Sequence, residues 1–271
     1  MTNPKNEVVR VDVHSLSEEI ALQPEHLDEY RQVMNFFHQS LYRLEKSLFI
    51  VDKIQEFPFD IFTTIDDRVF LSHAVTVFLD DALLTVYKLV VDNTYSYTLQ
   101  EFKNKISPTD RRISGFIKDA YRKLFDDSLS SLYFEQKTKL VRDDVNTLRN
   151  ERVAHSTRDW VLGKSSIPAL ELGKFKDLVR ATKTLFDALC FNTHRVLLPI
   201  SYDPAVVHPK HSDARPDIEK ILDSIARESY LLNMPEQEIN PGAWAQQREA
   251  LSVDEIQKLN SYREKLGLPE V

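Results

Sequence analysis

Seven consecutive residues, Arg149-Asn150-Glu151-Arg152-Val153-Ala154-His155, gather two guanidiniums, a carboxamide, a carboxylate and an imidazole. An unperturbed imidazole titrates near pH 6.5, so one His can accept or donate a proton at neutral pH. Arg carries a permanent charge on a planar fork of donors that matches two phosphate oxygens at once. Cleaving RNA without a metal needs groups of these kinds. A base takes the proton of the 2′-hydroxyl, an acid protonates the departing 5′-oxygen, and cations stabilise the charge on phosphorus.

These residues must be positioned by the element that carries them, and 137–160 reads as a helix. With about 3.6 residues per turn, Val141, Val145 and Leu148 fall on one line that continues to Arg152 and His155. The core-facing stripe thus turns into a cation and an imidazole. Burying such a group unpaired costs about 2–7 kcal/mol, and more for a charge, so this end of the helix should open onto water, a partner or a ligand. Arg149 lies roughly 80° to the side of the stripe. In one unbroken helix it does not easily meet His155, whereas Glu151 and Arg152 can. A plainer reading also accounts for the pattern: the helix dipole favours a His near a C-terminus, and Arg152 can pair with Asp144 or Glu151.

The run Leu148–His155 resembles the R-x5-H signature of the HEPN superfamily, including the polar residue after the Arg. The likeness is closest to the abortive-infection U-type branch, supported upstream by a long apolar helix ending at Asp92 and by TLQEFKNKI at 98–106. It covers about residues 25–200. The resemblance implies an all-α, HEPN-like up-and-down helical bundle, and a metal-independent endoribonuclease of toxin or phage-defence (abortive infection) type that cleaves single-stranded RNA by 2′-hydroxyl attack. Arg149, Asn150 and His155 are then catalytic, Glu151 and Arg152 support them, and Asp80 or Asp81 supplies an acid from an earlier helix. A two-fold homodimer would bring two His together and let Arg149 face the partner subunit's His155. No cofactor or metal is expected; an antitoxin or regulatory protein is a further expected partner. Thr157 departs from HEPN toxins that carry a modifiable Tyr at that position, so silencing by that route is not expected. The alternative is a non-catalytic helical dimerisation module that binds RNA or a regulatory protein. A small-nucleotide site has no specific support in the residues.

Composition narrows the choice. The 271 residues contain five Gly and one Cys, which argues against Gly-rich phosphate loops and excludes an intramolecular disulfide or a Cys-x-x-Cys site. The N-terminus lacks the order of a secretory signal and no long uncharged apolar run is evident, so a cytoplasmic protein without a membrane partner is expected. The formal net charge of −7 is unevenly spread. Residues 103–183 hold 18 Lys+Arg against 11 Asp+Glu, leaving 17 against 31 elsewhere. A local positive field of this kind can attract phosphates.

Three regions are expected along the chain: an extended arm over 1–24, a helical bundle over 25–200, and a linker with a C-terminal helical pair over 201–271. Helices are expected at about 25–56, 66–92, 98–106, 109–126, 137–160, 170–198, 216–232 and 253–266. The second has the widest apolar surface and a narrow polar side of His73, Thr76, Asp80 and Tyr87. Thr98 with Glu101 reads as a capping box. The 109–126 helix displays Arg111, Arg112, Lys118, Arg122 and Lys123 as a candidate RNA-binding surface. Gly163-Lys164-Ser165 lacks the earlier Gly of a phosphate loop, and His208 with His211 lacks a third ligand, so neither carries a site.

Overall fold

The computed structural model describes residues 12–62, 68–92, 97–150, 170–191, 216–228, 249–268 and 270. Among them the regular structure is helical, with one isolated antiparallel bridge between Leu22 and Ile117. The helices are α1 (Glu18–Ala21), α2 (Leu27–Glu56), α3 (Phe59–Phe62), α4 (Arg68–Val90), α5 (Leu99–Ile106), α6 (Asp119–Ser130), α7 (Phe134–Leu148), α8 (Leu172–Leu189), α9 (Asp217–Glu228) and α10 (Val253–Lys265). The all-α helical bundle with an added C-terminal helical pair is therefore the fold. The chain forms two compact units, one of residues 1–45 and 80–201, the other of 46–79 and 202–271. Both long helices, α2 and α4, contribute to each.

The first unit is built on aromatic burial. Tyr30, Met34, Phe37, Leu41 and Leu44 of α2 follow the helical repeat and are fully buried. Phe102 of α5 meets Tyr30 at 5.8 Å and Phe37 at 5.7 Å between ring centroids. Each fully buried side chain of this size stabilises by about 1.5–3 kcal/mol. The α5 capping box forms as expected: Thr98 Oγ1 accepts from Glu101 N–H at 3.2 Å, and Glu101 Oε2 accepts from Thr98 N–H at 3.1 Å. Helix α7 packs on α8 through Phe134, Thr138, Val145 and Leu148, all buried.

Three expectations require correction. Residues 109–118 are not helical. Their chain runs beside α5 and α1, with Phe116 N–H donating to Lys105 O and Ile117 N–H to Ile106 O, while Gln23 N–H donates to Phe116 O. Gly115 permits this approach, because a Cβ there would lie 2.5 Å from Ile106 O. Helix α8 ends at Leu189 rather than Leu198. Its last carbonyls are taken by side chains: Tyr30 Oη donates to Leu189 O at 2.9 Å, and the His14 ring contacts Cys190 O at 3.3 Å. Burial pushes the Tyr30 phenol well above its usual range, so it remains a donor. The arm is not simply extended either, since residues 13–15 form a 3₁₀ turn and α1 follows. The expectations for 151–169, 192–215 and 229–248 lie outside the described residues.

In the second unit, α9 and α10 bury Leu222, Ala226, Leu259 and Tyr262 with Ile54, Phe57, Ile61, Phe62 and Leu71. Tyr262 Oη donates to Asp223 at 2.7 Å, which satisfies a polar pair inside that core. Ser252 caps α10 in a second capping box. The stretch Val69–Val90 is long and apolar enough to cross a membrane by length and composition, though it contains Asp80, Asp81 and Lys88.

Candidate functional site

The C-terminal end of α7 projects Arg149 towards α4. Val145 and Leu148 are buried, which fixes the rotation of the helix, and Arg149 leaves it at the side of the stripe, half-buried. The backbone stays right-handed at Arg149 (φ −60°, ψ −46°) while residues 149 and 150 take a wider π-helical pattern. A regular 100° step no longer holds through such a turn. Glu151, Arg152 and His155 lie outside the described residues, so the proposed meeting of Arg149 with an imidazole is not seen.

Among the described residues, the polar contacts around Arg149 are specific. Its Nη1 donates to Asn150 Oδ1 at 2.8 Å, and Asn150 Nδ2 donates to Asn146 Oδ1 at 3.2 Å. The guanidinium carbon stands 4.8 Å from the centroid of the Tyr87 ring, within cation–π range. Nε is buried and has no hydrogen-bond partner among the described residues. Leaving a buried donor unsatisfied costs about 1–3 kcal/mol, more for a charged group, so this edge is suited to an anion. Asn146 was not anticipated, although its spacing four residues before Asn150 is the signal that could have found it. Tyr87 was visible only as part of the polar side of α4.

Asp81 of α4 forms an ion pair with Arg43 of α2, with Arg43 Nε at 3.2 Å from Oδ2. Asp80 is half-exposed and lies seven residues before Tyr87, two turns away on nearly the same helical face.

The five cations proposed as an RNA surface do not share one helix. Arg112 pairs with Asp110 at 2.8 Å, and Lys123 with Asp127 at 2.5 Å. Lys118 Nζ donates to Glu19 O at 2.9 Å and Ile20 O at 2.8 Å, tying down the end of α1. Arg122 donates to Pro108 O. Arg111 is exposed and has no polar partner among the described residues. In the second unit, a cleft of about 1350 Å³ is lined by Lys53, Phe57, Glu219 and Tyr262 and includes none of the candidate residues.

Comparison with known proteins bears on this site directly. No curated protein and no solved structure gives a match. A family model of the AbiU2 HEPN domain matches residues 67–205, which takes in α4 to α8 and the whole Arg149–His155 run. This span is more than half of the chain and suggests a place in abortive-infection defence, so the protein belongs to the AbiU2 family of HEPN domains.

Proposed function

We propose that the protein is a metal-independent endoribonuclease of abortive-infection defence, acting on single-stranded RNA. The observation that carries this reading is the Arg149 guanidinium, held on Tyr87 and Asn150 with a buried Nε that lacks a partner among the described residues. Such an edge suits two oxygens of a phosphodiester. In the proposed reaction the 2′-oxygen attacks phosphorus and the bond to the 5′-oxygen breaks. One imidazole removes the 2′-hydroxyl proton, a second protonates the leaving oxygen, and Arg149 stabilises the added charge. Each chain contributes one His155, so the reading requires a homodimer in which two motif helices face each other. Asn150 orients Arg149, Glu151 and Arg152 tune the imidazole, and Asp80 remains the candidate acid of α4.

RNA is the proposed substrate and an antitoxin or regulatory protein a proposed partner. We place the protein in the cytoplasm: three charged residues inside Val69–Val90, each costing about 2.5–3.5 kcal/mol at a bilayer centre, oppose a membrane-spanning role for α4. The test is cleavage of a single-stranded RNA oligonucleotide by the wild type and His155→Ala. Loss of proton transfer should lower the rate by about 10²–10⁴. Cleavage that is unchanged in His155→Ala would refute the assigned chemistry. A wild type that binds RNA without cutting it would favour a non-catalytic dimerisation module.

A further inference from the structure

Resting on that reading, we propose that Tyr87 is the positioning residue of the site, fixing the Arg149 guanidinium so that its Nε and Nη2 edge faces a phosphate of the RNA. Three observations converge on this assignment. The guanidinium carbon lies 4.8 Å from the Tyr87 ring centroid, so one face of the cation is covered. One corner is engaged, because Nη1 donates to Asn150 Oδ1, itself part of a chain that ends at Asn146. The remaining edge is unsatisfied at Nε, which is buried and has no hydrogen-bond partner among the described residues. That edge is one of the two through which a guanidinium can make bidentate contact with phosphate.

The ring is well placed to act as a platform. Val86 and Leu89 beside it are buried, and the Tyr87 carbonyl accepts from both Val91 N–H and Asp92 N–H at 2.9 Å, which fixes the end of α4. The ring face of Tyr87 is the part that meets the guanidinium. A long Arg side chain otherwise samples many rotamers. Ordering it before RNA arrives moves that entropic cost out of the reaction and raises transition-state stabilisation more than substrate affinity.

The experiment compares wild type, Tyr87→Phe, Tyr87→Leu, Arg149→Ala and the Tyr87→Leu/Arg149→Ala double variant on a single-stranded RNA oligonucleotide under single-turnover conditions. Phe keeps the ring face and should cleave within about twofold of wild type, whereas Leu keeps bulk without the quadrupole and should be slower by about tenfold at saturating RNA. The double variant should be no slower than Arg149→Ala, since Tyr87 acts through Arg149. Equal rates for Tyr87→Leu and wild type, or a Phe variant as slow as Leu, would overturn the proposal, as would a double variant slower than Arg149→Ala. In parallel, NMR of the Arg149 Nε–H should show ring-current shielding in wild type and Tyr87→Phe that is lost in Tyr87→Leu; shielding retained in Tyr87→Leu overturns the pairing. A wild type that leaves RNA intact overturns the ribonuclease reading and the role in cleavage with it, and the NMR result then decides the pairing alone.

Discussion

Two cationic regions of the same unit behave differently. Lys118 and Arg122 have their charged ends on backbone carbonyls of Glu19, Ile20 and Pro108, and Arg112 and Lys123 each hold a neighbouring acid. Among the described residues, Arg149 instead rests on an aromatic face and a carboxamide, with a buried donor left over. The first group lies where the local excess of positive charge predicts a phosphate-binding surface. A cation that satisfies the fold's own carbonyls is less available to a ligand. Charge summed over a segment therefore predicts a field, while hydrogen-bond geometry identifies which group can use it.

Substitutions can break or sharpen this contrast. The largest effect is expected from Arg149→Ala, which should slow cleavage by about 10²–10³ in single-turnover assays. Its melting temperature should stay close to wild type, because little of the fold depends on that side chain. Next comes Gly115→Ala, where the new Cβ would meet a backbone carbonyl at 2.5 Å. Overpacking of this kind costs about 1–3 kcal/mol, measurable by urea unfolding, and should leave the rate per folded molecule unchanged. Lys118→Ala should lower stability by about 1 kcal/mol through loss of the α1 carbonyl contacts, with little change in cleavage at saturating RNA. An unaltered melt with weakened RNA binding would reverse its assignment. The smallest effect is expected at Arg111→Ala, which should reduce the salt slope of RNA binding by about one and leave stability intact.

The patterns that could be read in advance are those set by local periodicity. The buried faces of α2 and α4, the Thr98 capping box and the Val145–Leu148 stripe are each determined within one element. The departures come from contacts distant in sequence. Residues 109–118 carry an amphipathic pattern, but Gly115 allows the backbone to approach Ile106, and the bridge from Leu22 to Ile117 replaces a helical turn. At the end of α8, Tyr30 and His14 receive the last carbonyls from elements more than 150 residues earlier, which no local signal announces. Arg149 and Asn150 were legible from residue type and spacing. The ring beneath Arg149 was not, because Tyr87 lies on another helix and only packing of α7 near α4 brings the two together.

The central claim is RNA cleavage by 2′-hydroxyl attack, and the chemistry of the product ends tests it most directly. A single-stranded RNA oligonucleotide and its all-deoxy counterpart should be incubated with the protein in the presence of EDTA and the fragments weighed by mass spectrometry. The account predicts RNA fragments ending in a 2′,3′-cyclic phosphate or the derived 3′-phosphate, with the DNA intact. Fragments bearing 5′-phosphate and 3′-hydroxyl ends, cleavage of the DNA, or activity abolished by EDTA would contradict it.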